Sequence, residues 1–417
     1  MRVTVTLAIN VPGEDLTVKS IEEAVAHAQR KFSNMVWQAF VSKVESAAKK
    51  QYPPGKLKVK AWEERTLLTM SGPVKFQRHR FECVAEDKSI LLFDMRVGLK
   101  PYQRVTEAVE ERLAETAGEV SYAKSARFWT KAWMSRISPM AVWHSTQRVG
   151  RKIRDEEEKR RREVFKCGEL PGWERDAPPF VGVEADSTYL SAWRGRGRAA
   201  EVYVGMAYTG KDRRGNRRML TDKWICTGVR GSYGFGKDLF VMAQEKHNVS
   251  GAEVGVFLSD GAGSLRAIQE EHFPWFRRQV DWAHAKRRIA EAYGKDRVGR
   301  ASELVGMLME GKVDGVCKRI RKDACKKRKR AETLKQLAGY LEANGKDLYA
   351  VRRMREEGIT LPEHLEGSGG IERQVGVVAG QRMKRQGMSW TRDGADNLLA
   401  VRTRLLNRLQ SSKPRIA

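Results

Sequence analysis

The sequence predicts an α/β fold for its second half, preceded by a smaller α+β region. Three observations carry that prediction. Between Phe180 and Val229 three β-rich runs follow one another, and from Lys237 onward helical and strand-like periods alternate. From Gly294 to Glu366 the pattern is wholly helical and strongly basic, and a glycine-rich segment, Gly367-Ser368-Gly369-Gly370, follows it. A hydrophobic content of 41% supports real cores, and 417 residues suffice for roughly two to four domains.

The elements follow in order. Residues 20–50 read as an amphipathic helix, because Ile21, Ala24, Val25, Ala28, Phe32, Met35, Val36, Phe40 and Val41 recur at helical spacing. After Tyr52-Pro53-Pro54-Gly55 the character changes to short β-rich runs, Leu67–Met70, Val74–Val84 and Ile90–Met95, with Ser71-Gly72-Pro73 as a turn. Helices return from Val105. Ser121–Trp133 is one, and Ser138-Pro139 pairs an N-cap residue with a first-turn proline to open the next, through Val149. Two helices joined by a short turn fit a helix-turn-helix-like DNA-binding segment, whose second helix would offer His144, Gln147, Arg148 and Lys152 to a major groove. An ordinary αα-hairpin has the same local pattern. The charged stretch Arg151–Arg162, then Pro171-Gly172 and Pro178-Pro179, reads as a linker.

Beyond it, strands are expected at Phe180–Tyr189, Ala199–Tyr208 and Met219–Val229, then a helix at Lys237–Lys246 and a strand at Glu253–Leu258. A helix at Ser264–Glu271, a strand ending at Val280-Asp281 and a helix starting near His284 complete the run. Three strands followed by this alternation match an RNase H-like core better than a Rossmann fold, whose glycine-rich first turn is absent. The helical stretch that follows reads as an insertion. The division is thus an α+β region over 1–100, a helical region over 101–165, a linker over 166–179, the first part of the core over 180–293, a basic insertion over 294–366, and two closing helices over 367–417.

Charge narrows the partner. Lys and Arg outnumber Asp and Glu by 79 to 52, a formal net charge of +27, and no lipid-facing segment accompanies the excess. Nucleic acid is the expected polyanion. Within the insertion, Lys326, Lys327, Arg328 and Lys329 are candidates for phosphate contacts, with a solvated helix face as the alternative. Five dispersed cysteines form no CxxC pair, which argues for a reducing compartment and against a zinc module or a disulfide framework. No apolar signal core opens the chain and no run of about eighteen apolar residues occurs, so a soluble, cytoplasmic, nucleoid-associated protein without a membrane partner is expected.

Three carboxylates stand where such a chain could do chemistry. Asp186 comes late in the first strand, or just past its apolar run Val181, Val183 and Ala185, with Glu184 two residues earlier on the same strand face. Asp260 directly follows the apolar run Val254–Leu258, and Gly261 lets the chain turn into a helix. Glu372 lies in the first turn of a helix entered through glycines, with Gly376 and Ala379 on its own face leaving room for a sheet. Hard oxygen ligands on two strand ends and a helix are what a pair of Mg²⁺ ions (or Mn²⁺) held ~3.5–4 Å apart requires. Singly, each has a plain alternative: a solvated edge-strand acid, a common strand-Asp-Gly turn, or an acid favoured in a helical first turn.

On Ser259-Asp260-Gly261-Ala262, on Asp281-Trp282-Ala283-His284, and on Gly367–Glu372 continuing into Arg382–Trp390, the chain resembles DDE transposases of prokaryotic insertion sequences. The resemblance is to the Mutator-like superfamily, in particular its ISLre/ISKra-type branch, and spans most of the chain. It departs in one place, where Gly263-Ser264-Leu265 stands instead of a Trp shortly after the second Asp-Gly-Ala. The resemblance implies Asp186, Asp260 and Glu372 as a catalytic, metal-binding triad. It implies Asp281 and His284 as supporting residues, and DNA contacts that include Arg382, Lys384, Arg385 and Trp390. It implies two Mg²⁺ ions, with terminal inverted repeats and target DNA as double-stranded partners and a homo-oligomer on DNA. Cleavage at element ends and strand transfer would follow. An RNase H-like nuclease or resolvase, and a silent DNA-binding derivative of a transposase, are the rival expectations.

Overall fold

The structure is a computed structural model. It describes residues 2–8, 16–83, 88–192, 200–214, 217–326, 330–363, 365, 367, 369–385 and 388–411, with the backbone alone at 213, 214, 217, 218, 296, 410 and 411. The chain divides into two compact units, Met1–Val149 and Gly150–Ala417.

In the first unit, helix α1 (Val18–Lys49) opens with a capping box in which Thr17 and Ser20 satisfy each other's backbone. Strands β1 (Leu57–Thr69) and β2 (Gly72–Cys83) form an antiparallel hairpin in which Thr69 faces Gly72. Gly72 holds a φ of +92° at that corner, a conformation glycine adopts without penalty. Strand β3 (Lys88–Ile90) pairs with β2. α1 lies on this sheet through Val41, Phe76 and Phe93, with Trp37 stacked on Phe76 at 5.7 Å.

The expected strand Ile90–Met95 is a correction: β3 stops at Ile90 and helix α2 (Leu92–Val97) begins. Leu92, Phe93 and Asp94 are all buried, which a half-covered strand cannot provide and a short helix can. Asp94 there pairs with Arg78 of β2.

Helices α3 (Glu107–Glu119) and α4 (Tyr122–Ala132) and the start of α5 (Pro139–Cys167) share a core of Val109, Leu113, Ala126, Trp133 and Val142. Ser138 accepts the Ala141 N–H at 3.1 Å, as its place before Pro139 predicts. α5 does not end at Val149. It continues through the charged stretch expected to be a linker, stitched by Glu158–Arg162 and Lys159–Glu163 pairs one turn apart. Ile153, Arg154 and Val164 are buried along it. Gly150 lets α5 pass close to the chain at Asn397, whose carbonyl oxygen a Cβ would meet at 2.3 Å. The connection to the next strand is therefore 168–179.

The second unit is built on a five-stranded mixed sheet. Its strands are β4 (Phe180–Leu190), β5 (Ala200–Tyr208), β8 (Trp224–Gly228), β9 (Val254–Ser259) and β10 (Arg277–Val280). Their order is β10-β9-β4-β5-β8. β4, β5 and β8 run antiparallel in sequence, whereas β9 lies parallel to β4 and β10 parallel to β9. The expected strand Met219–Val229 divides at Asp222, whose φ is +47°. Its first part joins a separate hairpin of β6 (Gly210–Arg214) and β7 (Arg217–Thr221).

Both sheet faces are covered. Val181, Val183 and Ala185 of β4 meet α6 (Gly231–His247) and α7 (Gly263–His272). Phe180 and Leu190, on the other face, meet α13 (Gly369–Val375), a π-helical segment Gly376–Lys384, and α14 (Arg392–Ser411). Helix α8 (Trp282–Tyr293) leads from β10 into α9 (Val298–Met309), α10 (Val313–Lys326), α11 (Ala331–Asn344) and α12 (Ala350–Glu356). These form the expected helical stretch, with a core of its own around Leu304, Ile320, Leu337 and Leu341. Among the described residues no helix is long and apolar enough to cross a membrane.

Candidate functional site

Asp186 lies within its strand and not past it: β4 runs on to Leu190 and Asp186 pairs with Val204 of β5, although it lies past the last residue that pairs with β9, Glu184. Asp260 follows β9 directly, so the two strands bring both carboxylates to one sheet edge. Asp260 Oδ1 accepts the Ala262 N–H at 2.8 Å, and Gly261 turns the chain with a φ of +81°. A Cβ at Gly261 would sit 2.9 Å from Asn344 Oδ1, so the turn tolerates nothing larger. Tyr340 closes the corner by donating to the Asp260 carbonyl at 2.8 Å.

Asp281 extends the β10–β9 ladder by donating its N–H to the Ser259 carbonyl at 2.9 Å, then caps α8 by accepting the Ala283 N–H at 3.0 Å. Its second oxygen lies 2.6 Å from His284 Nδ1. That bond raises the His284 pKa against the opposing effect of burial. His284 Nε2 faces Glu372 Oε1 at 3.4 Å. One ligand atom each from Asp281, His284 and Glu372 lie within 4.8 Å of one another, close enough to share a cation.

The electrostatics join the two carboxylate groups. Burial raises the pKa of Asp186, the Ser187 N–H lowers it, Asp260 and Glu372 raise it, and His284 lowers it. Asp186 thus shares a field with Asp260, Glu372 and His284 while its own strand provides no cation. Two arginines on α8 stand opposite the acids: Arg287 is 3.6 Å from Glu372 Oε1, and Arg288 is 3.5 Å from Asp260 Oδ2 with its guanidinium over the Tyr340 ring. Among the described residues the group close enough to share one cation is therefore Asp281, His284 and Glu372; of the expected triad Asp186, Asp260 and Glu372, only Glu372 belongs to it. The two carboxylates and one imidazole of that group could hold a divalent ion such as Mn²⁺.

Arg287, Arg288 and Tyr340 were not foreseen. The arginines were findable, standing three and four residues after His284 on one helix face. Tyr340 was not, since nothing local ties it to Asp260 across the insertion. Glu184 is fully buried on the same strand face as Asp186; its Oε1 accepts from the Tyr208 hydroxyl at 2.9 Å and its Oε2 from the Ile371 N–H at 3.0 Å. Burial pushes its pKa up to about 7.

The profile of the uncharacterised protein family UPF0236 matches residues 12–415. The chain belongs to that family. It is 24% identical over 355 residues to a UPF0236 protein in the vanSb 3′ region of Streptococcus gallolyticus, covering 83% of this chain and 74% of that one. Two UPF0236 proteins of Caldanaerobacter subterraneus subsp. tengcongensis are each 20% identical over 361 residues, 82% of this chain and 67% and 68% of theirs. The name of one joins eleven locus designations.

The DNA-contact candidates of this UPF0236 chain divide. His144, Lys152, Lys326, Lys384 and Arg385 are exposed. Lys384 reaches Thr188, two residues past Asp186 on β4. Four candidates need correction. Gln147 is buried, because it falls on the inner face of α5. Arg148 is exposed but committed to Glu110, at 2.5 Å. Arg382 is buried at 3% exposure, its guanidinium 5.4 Å from the Trp390 ring centre. Trp390 is half-buried against the sheet core, donating its indole N–H to the Met383 carbonyl at 2.8 Å. Lys327, Arg328 and Lys329 lie outside the described residues.

Proposed function

We propose that this protein is a divalent-metal-dependent DNA transposase of an insertion sequence, cleaving at element ends and joining the freed end to target DNA. The observation that carries the reading is the Asp281–His284–Glu372 group, close enough to share a cation, with Asp186 and Asp260, from distant segments, within its electrostatic reach. A net charge of +27 supports DNA as the substrate. The sheet order, three antiparallel strands and then two parallel ones, supports reading the second unit as an RNase H-like core with a helical insertion. The packing of α3, α4 and α5 supports a helix-turn-helix-like reading of the first unit, with His144 on its exposed side. A relative whose name joins eleven locus designations is what an element that copies itself would leave behind.

In this reading Asp186, Asp260 and Glu372 would hold two Mg²⁺ or Mn²⁺ ions, and the chemistry such ions would supply is activation of the attacking oxygen and stabilisation of the leaving one. Asp281 orients His284, and His284 in turn holds Glu372 in place. Arg287 and Arg288 pair with carboxylates in the absence of DNA and are placed to neutralise phosphate when it arrives. The protein acts as a homo-oligomer on double-stranded DNA that carries terminal inverted repeats.

Incubating the protein with Mg²⁺ and the DNA flanking its own gene tests the reading. Joined products are expected. Nicks without joining would select the nuclease or resolvase instead, and binding without any cleavage would select a silent DNA-binding derivative.

A further inference from the structure

We propose that Glu184 is a positioning residue for the Glu372 helix: its buried carboxylate takes the Ile371 N–H and thereby fixes where the adjoining Glu372 side chain begins. The inference rests on the function proposed above, in which Glu372 is a metal ligand.

Three observations carry it. Glu184 is fully buried in the middle strand, where an apolar residue would be the inexpensive choice. Its two oxygens are used in different directions, one toward Tyr208 on the neighbouring strand and one toward Ile371, 187 residues away. Two glycines clear the way for those partners. A Cβ at Gly182 would lie 2.4 Å from the Tyr208 ring and block its approach, and a Cβ at Gly370 would lie 3.1 Å from Glu184 Oε2 and 2.8 Å from Met206 Cε. Sheet and helix therefore meet backbone to carboxylate, a closer approach than apolar side chains allow.

The far end of the same segment is held too. Arg402, buried on α14, donates to the Val377 carbonyl at 3.1 Å and the Val378 carbonyl at 2.9 Å in the π-helical turn that follows Glu372. A wide helical turn leaves carbonyls poorly matched to the donors of its own backbone, and the guanidinium satisfies them. Glu372 itself is exposed and lies between these two anchors. Its direction is set by backbone that Glu184 holds from one side and Arg402 from the other.

The test uses the full-length protein with Mn²⁺ as the probe, followed by the free-ion electron paramagnetic resonance signal, with thermal melting on the same preparations. Glu184→Gln keeps an acceptor oxygen for Ile371 and should bind Mn²⁺ nearly as the parent does. Glu184→Leu removes the acceptor at similar volume and should weaken Mn²⁺ binding by about 10- to 100-fold, the range typical of lost outer-shell partners. Gly370→Ala leaves Glu184 intact but sets a methyl 3.1 Å from Glu184 Oε2 and 2.8 Å from Met206 Cε, crowding the contact to Ile371, and should weaken binding as well; it decides the matter should Glu184→Leu not fold. Mn²⁺ affinity unchanged in folded Glu184→Leu, or in Gly370→Ala, overturns the proposal, and so does Glu184→Gln binding as weakly as Glu184→Leu. Asp260→Asn separates the two levels. If the parent protein binds no Mn²⁺ that Asp260→Asn abolishes, the metal site itself is wrong, and Glu184 has nothing to position.

Discussion

Asp186 carries a load that the Ser187 N–H of its own strand relieves only in part. It is half-buried, burial raises its pKa, and two further carboxylates push the same way. A bound cation would offset the repulsion and favour the ionised form, which is why the cluster is read as a metal site rather than a solvated edge. Asp260→Asn keeps size and hydrogen-bonding capacity while removing one charge. It should leave DNA binding intact and lower cleavage and joining by at least about 100-fold, as expected when preorganised electrostatic stabilisation is lost. Gel shift and product analysis on one preparation check this, and near-normal joining would remove the assignment. Arg288→Gln should act in the opposite sense on the metal. Freed of its neighbour 3.5 Å away, Asp260 should bind Mn²⁺ more tightly, while DNA affinity falls. A variant with weaker Mn²⁺ binding would show that Arg288 supports the carboxylates instead of competing for them. At this scale the sequence was informative where chemistry and local geometry coincide: Asp260 before a glycine turn, Glu372 after a glycine run, His284 three residues past Asp281. It placed Glu184 on the Asp186 face but was silent on its contact to Ile371, because a contact across 187 residues leaves no local periodicity.

Elements were legible wherever one face is buried and the other is not. The five strands of the mixed sheet fell close to their expected places because β-rich runs alternate with turn residues. The misreadings share a cause, namely that burial overrode a local signal. Leu92 and Phe93 turned an expected strand into a helix, and Ile153 and Arg154 carried α5 through a stretch whose charge alone suggested a linker. Burial wins again at the ends of α6 and α7. His247 and His272 lie in their last turns, where a helix terminus favours a cation by ~0.3–1 kcal/mol. Both pKa values are nevertheless lowered, by burial above all, against the pull of Asp222 and Glu271. Folded values below the ordinary 6.5 mean that the unfolded chain binds more protons in mildly acidic solution. Their contribution to stability is therefore present above about pH 6.5 and is lost as pH falls through the folded values, at no more than about 1.4 kcal/mol per pH unit for each histidine. Replacing both by Gln should flatten the fall in melting temperature between about pH 8 and about pH 5.5. A double variant with the parent's slope would place that sensitivity elsewhere.

On the scale of the whole molecule, a charge of +27 is a statement about binding more than about folding. Each phosphate neutralised on DNA releases condensed counterions, so affinity should fall with salt at roughly 0.9 log units per log unit of salt for every phosphate contacted. Non-specific and specific binding would share that slope, since positioning contacts carry no sequence information. The insertion is where loss of charge should show most clearly. Lys326 is exposed at the end of α10, and replacing Lys326, Lys327, Arg328 and Lys329 together by Ala should flatten the slope by about one unit per lost contact, without moving the preference for one DNA sequence over another. The first unit should behave in the reverse way. The division at Val149 falls inside α5, so a fragment meant to retain the second unit should begin at Ser138, which caps that helix, and not within it. Residues 138–417 keep His144 and Lys152 but lose the α3 and α4 core that packs the start of α5, so they should keep a steep salt dependence on any duplex and lose the preference for the element's own ends. Equilibrium binding of full-length protein, fragment and fourfold variant, each on end DNA and on unrelated DNA over a salt series, separates the two contributions. A fragment that still prefers end DNA would place sequence reading in α5 alone or in the second unit, without need of α3 and α4. An unchanged slope in the fourfold variant would return that basic run to a solvated helix face.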